Sequence, residues 1–189
     1  MTQPSLELER AIRDMIVDSS NDATGYVVDV LTGTNSGPEL SPGPFETWKH
    51  QRNLVNRYLK SLNWPELVTV NANQKTWCDG PYGRERDFLG KDYENRNMLT
   101  TEASARLLHS IVGGVAINAE RSQAMMDLMR RDLDPQVLAA DPENQVTGFL
   151  GAGVPADTKV WSKAGLTSKV RHDAAYIEAD SIDYLERAP

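Results

Sequence analysis

Strand-like alternation is confined to the end of this chain. Residues 158 to 163 and 170 to 178 alternate apolar and polar side chains with period two, and a short polar connection joins them. Every earlier periodic segment repeats at helical spacing. Strands so late and so few point to an α/β fold of the α+β type, and the length suits one domain spanning 1 to 189 or two thin subdomains sharing a core. Its mainly helical part covers about 5 to 145, and a partial antiparallel sheet follows over 146 to 189. The stretch SKAGLTSKVRHDAAYI, residues 162 to 177, carries a lysine, a small residue and a glycine at the end of the first strand. Arg-His-Asp opens the second.

Leu8, Ala11, Ile12, Met15 and Ile16 share one face of a helix over 5 to 18, with Glu7, Glu9, Arg10 and Arg13 on the other. Asp18-Ser19-Ser20-Asn21 breaks that pattern, because such side chains bond nearby backbone and cap helices. A second helix over about 22 to 31 stops at Gly33, a residue suited to the left-handed end of a helix. TGTNSGPELSPGP, 32 to 44, is loop by composition. Further helices are expected at about 45 to 62, from Thr100 to a stop at Gly113-Gly114, at 118 to 132, and in a short piece near 135 to 140. Between 63 and 97 no period survives, and Asp79-Gly80-Pro81 reads as a turn. A connection of that length in a compact domain is usually functional.

Acidic residues outnumber basic ones, 27 to 20, and the net charge of −7 repels phosphate backbones, so no nucleic-acid partner is expected. Cys78 is alone, which excludes an internal disulfide and a thiolate metal cluster. His50, His109 and His172 lack the spacing of a helical metal site. Neither a metal nor a cofactor is therefore expected. No apolar run approaches the roughly 18 residues of a membrane span. The opening MTQPSLELERAIRD has no apolar core of a signal peptide, which places the chain as written in the cytoplasm.

Two polar signals remain, Ser19-Ser20-Asn21 at a helix–helix junction and Lys163-Ala164-Gly165 at a strand end. Taken singly, one reads as a helix cap and the other as a strand turning into a loop. Their order and surroundings, MIVDSSNDATGYVVDVLTG, then NRNMLTTEASARLLHSI, then GVPADTKVWSKAGLTSKVRHDAAYIE, say more. Over roughly residues 6 to 178 the chain resembles the class A β-lactamase family and its penicillin-binding relatives. The signatures of that family are Ser-x-x-Lys, Ser-Asp-Asn and Lys-Thr-Gly.

The resemblance implies a serine hydrolase acting through an acyl-enzyme on a small β-lactam or a D-Ala-D-Ala-type peptide amide. Such chemistry needs an activated hydroxyl, a proton relay to the leaving nitrogen and an anchor for the substrate carboxylate. By resemblance, Ser19 is the relay hydroxyl and Asn21 bonds the substrate amide. Lys163 brings positive charge to the carboxylate, and Gly165 lets the strand backbone approach the substrate. Ala164 stands where the family carries a threonine that bonds the carboxylate. Arg171 is a candidate second cation with a bidentate grip; the other reading is a surface ion pair with Asp173 or Glu178.

The sequence departs from the family pattern. No serine is followed by lysine three positions on, so the nucleophile is expected to lie outside this chain. Ser20 and Ala164 replace the middle Asp and Thr of the two motifs. Glu66, in Trp64-Pro65-Glu66-Leu67, is a candidate deacylating base, with an ordinary exposed loop acid as the alternative. The family sheet has more strands than this chain supplies. A truncated domain, or one whose sheet a partner chain completes, is therefore expected. The competing function is that of a catalytically inactive β-lactamase-like scaffold that binds a partner. Relatives are commonly exported, which leaves the compartment of the complete protein open.

Overall fold

A computed structural model describes residues 5–77 and 80–179. Cys78, part of the Asp79–Pro81 turn and most of the short strand conceivable after Glu178 lie outside the described residues. The chain has an α+β architecture and divides into two compact units, 1–106 and 107–189. No helix among the described residues is long and apolar enough to cross a membrane.

The first unit is helical. Helix α1 (Leu6–Ile16) starts at Ser5, whose hydroxyl accepts from the Leu8 amide at 3.2 Å. Helix α2 (Asn21–Thr32) starts at Ser20, which accepts from the Ala23 amide at 3.2 Å, and ends at Gly33 with φ 64°. Those caps satisfy amides that a helix leaves without internal partners. The helix expected over 45 to 62 is two helices, α3 (Pro42–Arg52) and α4 (Leu54–Ser61), divided at Asn53. The reason is chemical. Asn53 turns its side chain on its surroundings: its Nδ2 donates to the Lys49 carbonyl at 3.1 Å, and its Oδ1 accepts from Asn56 and Asn73. Side-chain bonding of this kind competes with a continuous helix.

The aperiodic segment 63–97 is held by amides. A 3-10 turn at Pro65–Leu67 buries Leu67, and a single antiparallel bridge joins Asn71 to Met98. Asn71 donates to the carbonyls of Asn95 and Arg96, and Asn73 donates to Asn95 Oδ1 at 3.0 Å. Asn97 Oδ1 receives the amides of both Asn73 and Gln74 at 2.9 Å. Asparagine carries donors and an acceptor on a short stem, so it can mimic the backbone partners that a loop lacks.

The sequence pattern gave no sign of α5 (Gly83–Leu89). Its entry needs Gly83, which has φ 51°; a Cβ there would lie 2.1 Å from the Gly37 carbonyl oxygen. Helix α5 buries Phe88 edge-on against Trp48, with ring centres 5.2 Å apart, and carries Glu85 inward. Glu85 is fully buried and bonds Arg52 at 2.7 Å, itself fully buried and stacked over Trp48. Asp29 of α2 accepts from the same Arg52 nitrogen, Nη2, at 3.0 Å and pairs with Lys75. Arg52 Nε and Nη1 and Glu85 Oε2 have no hydrogen-bond partner.

The division between units falls inside α6 (Thr101–Val112), which opens with the Thr100 hydroxyl accepting from the Ala103 amide. In the second unit, α7 (Ala119–Met129) is capped by Asn118. The helix expected to reach 132 stops at 129, because Arg130–Arg131 leave it as a strand, β1. Asp134 caps the short α8 (Pro135–Ala140). Strands β2 (Lys159–Leu166) and β3 (Arg171–Glu178) follow, giving an antiparallel sheet of order β1-β2-β3. Val160, Ser162 and Ala164 are buried on one face of β2, while Trp161, Lys163 and Gly165 take the other.

Two outcomes follow for the first unit. Glu85→Ala leaves the fully buried Arg52 guanidinium with only the partly exposed Asp29 and should cost about 3–5 kcal/mol in urea unfolding, whereas the paired change Arg52→Met with Glu85→Leu should cost less than the single one. Asn95→Ala should leave the far-ultraviolet circular dichroism unchanged while proteolysis within 63–97 accelerates.

Candidate active site

The residues singled out above fall in both units. In the first, the α1–α2 junction is built from backbone reuse. The Asp14 carbonyl, near the end of α1, accepts from the amides of Asp18 and Ser20. Turning the chain between them forces Ser19 into the left-handed region, φ 56°, which is uncommon outside glycine and costs about 1–3 kcal/mol where the surroundings impose it. Ser19 and Asn21 are exposed, while Ser20 is spent on the cap. The Ser20 carbonyl accepts from both the amide and the hydroxyl of Thr24, at 3.0 and 2.8 Å. Glu66 sits partly exposed in its 3-10 turn.

The first unit also contains a serine–lysine contact that no short spacing reveals. Ser36 Oγ lies 3.0 Å from Lys75 Nζ. It is not an activated nucleophile. Lys75 is ion-paired with Asp29, and Ser36 donates its proton to Glu85 Oε1 at 2.9 Å. An ammonium bound to a carboxylate has no lone pair to act as a base.

In the second unit the geometry turns on the length of β1. Its two residues pair only with Trp161 and Val160. The next residues back along the chain belong to α7, so the β1-side edge of β2 has no strand to bond its later backbone groups. Side chains do so instead. Arg131 is buried and donates through Nη2 to the Ser162 carbonyl at 2.6 Å. The Ala164 amide donates to Gln145 Oε1 at 3.1 Å, and the Ala164 carbonyl accepts from Lys163 Nζ at 2.6 Å. Lys163 Nζ also donates to Gln145 Oε1 at 2.9 Å.

Lys163 therefore lies three residues inside β2 rather than at its end. Gly165 shares its face, opposite His172 of β3, and the Ala164 side chain points to the buried face. Burial holds the pKa of Lys163 down to about 8 from 10.5; the Arg131 charge adds to that effect and Asp173 opposes it. Arg171 pairs opposite Leu166. Its Nη1 donates to the Gly148 carbonyl at 2.6 Å, and its guanidinium stacks on Phe149, 4.9 Å from the ring centre. Neither alternative partner, Asp173 or Glu178, holds it in an ion pair. Asp173 accepts from the Leu150 amide, and Glu178 faces Lys159.

Sequence reasoning missed Arg131 and Gln145. Nothing in Arg130-Arg131 marks a buried guanidinium, and nothing in Glu-Asn-Gln-Val marks a buried amide. No local signal marks them: the shortage of partners at the edge of β2 arises because β1 begins at once after α7. Among the described residues, no group of three or more His, Cys, Asp or Glu side chains could hold a metal ion.

One family model, described as the Beta-lactamase enzyme family, matches residues 1–185. No curated protein and no solved structure matches the chain.

The position of Lys163 has a thermodynamic signature. Its pKa is lower folded than unfolded, so between about pH 8 and 10.5 the unfolded chain binds more protons and stability rises with pH. Urea midpoints measured at pH 7.5 and 10 should therefore rise by more in the native protein than in Lys163→Met.

Proposed function

The chain belongs to the β-lactamase enzyme family, and from that membership we propose that residues 1–189 form the substrate-anchoring and proton-relay part of a class A-like serine hydrolase. Its substrate class is a β-lactam or a D-Ala-D-Ala-type amide carrying a carboxylate. The observation that supports this reading is the setting of Lys163. Its ammonium is partly withdrawn from water and held by two oxygens, with a second cation, Arg131, beside it. Field and desolvation together favour an arriving anion over bulk solvent. With a pKa of about 8, the group stays largely protonated at neutral pH and binds anions less well as pH rises further.

In this reading each residue has one task. Lys163 neutralises the substrate carboxylate. Gly165, on the same face, adds no side chain to obstruct it. Asn21 bonds the substrate amide. During acylation a hydroxyl nucleophile forms the ester as the amide C–N bond breaks; Ser19 passes its proton to the leaving nitrogen and recovers one from the nucleophile. Glu66 is the base assigned to deacylation. The nucleophile is not assigned within 1–189, because no serine here has the Ser-x-x-Lys spacing. That same fact favours the second reading, an inactive scaffold that binds ligand without turnover.

Labelled penicillin separates these outcomes. Residues 1–189 should take no stable label and should bind benzylpenicillin reversibly by calorimetry. Lys163→Ala should weaken that binding roughly 10- to 100-fold, as expected for a charge-assisted hydrogen bond of about 1.5–3 kcal/mol. A stable label would place the nucleophile within these residues. Equal binding by the variant would remove Lys163 from the anchoring role.

A further inference from the structure

We propose that Gln145 is the positioning residue for Lys163: its side-chain carbonyl, carried to the open edge of β2, fixes where the ammonium sits. The inference rests on the reading of Lys163 as the carboxylate anchor.

Three donors converge on one atom. Gln145 Oε1 accepts from Lys163 Nζ at 2.9 Å, from the Ala164 amide at 3.1 Å and from Arg131 Nη2 at 3.4 Å. Only the oxygen end of the amide can receive all three, so the hydrogen-bond network fixes its orientation. Gln145 is buried, and the chain around it is pinned. Asn144 Oδ1 accepts from the amides of Val146 and Thr147, and Asn144 Nδ2 donates to the carbonyls of Leu138 and Asp141. Val146, at 3% exposure, anchors the segment on its other side. A side chain whose backbone is held on both flanks can place an atom to within the tolerance a binding site needs.

The choice of an amide is informative. The acceptor lies between two cations, Arg131 and Lys163, with Asp173 of β3 as the acid near the lysine. A glutamate at 145 would also accept three donors, but its charge would occupy the lysine that an incoming carboxylate needs. A neutral oxygen orients the ammonium without adding a carboxylate to it. The amide also completes the strand edge through Ala164, so the lysine and the backbone beside it are referenced to the same atom.

The test uses the 1–189 chain with lysine labelled by carbon-13 at Cε. The Lys163 resonance is titrated, and benzylpenicillin binding is measured at pH 7. Gln145→Glu keeps the acceptor oxygen and hence the fold. It should move the Lys163 midpoint from about 8 toward 10.5 and weaken penicillin binding at least about tenfold. Gln145→Leu should move the midpoint below the native one and weaken binding as well. A native Lys163 midpoint in the folded Gln145→Glu protein overturns the proposal. A shifted midpoint with penicillin binding unchanged supports the positioning and overturns the anchor reading.

Discussion

A guanidinium removed from water must be given oxygens, and each unit is arranged around one that has been. In the first unit Arg52 has no exposed surface, and its requirement draws in Glu85 and Asp29. Glu85 can reach it only if α5 exists and enters through Gly83 with a left-handed backbone, so a local turn in the long loop answers to a charge on α3. Ser36 and Lys75 join the cluster from two further segments, Ser36 donating to Glu85 and Lys75 contacting Ser36 and Asp29. In the second unit Arg131 plays the corresponding part. It leaves α7 as a strand residue and then spends its guanidinium on the neighbouring strand. Burial of this kind is weak evidence of net stability, but it allows few alternative arrangements of the segments involved.

The two networks differ in their shared acceptors. Around Arg52 two carboxylates, Asp29 and Glu85, face Arg52 and Lys75. Arg131 and Lys163 share the neutral side-chain oxygen of Gln145, with Asp173 near the lysine.

Much of the fold was legible because period and punctuation agreed. Leu8 to Ile16, Gly33 and the two terminal strands each carried a repeat and a stop that pointed to the same element. The family resemblance likewise rested on two short motifs in the right order. What escaped reading depended on distant partners. The break at Asn53 involves Asn73, twenty residues on, and α5 is too short to show a period. Arg130-Arg131 carries no sign that a helix ends there, since both residues are good helix formers. Lys163 was identified from its motif, but its surroundings were not, because the residue that holds it, Gln145, has no motif of its own. Nor does the sequence announce that Arg171 braces the loop at Gly148 and Phe149.

The two-residue length of β1 has a consequence beyond the shape of the sheet. Backbone hydrogen bonds between strands are written into every sequence alike, so substitution can seldom adjust one without displacing the strand. Along the edge of β2 that work passes to Arg131, Gln145 and Lys163, each specified by its own codon. Ser162 and Ala164 are thus held by contacts that can be lengthened, recharged or deleted one at a time. The strand that bears the lysine can be tuned in small independent steps, and divergence within such a family can proceed at this edge while the rest of the sheet keeps its register.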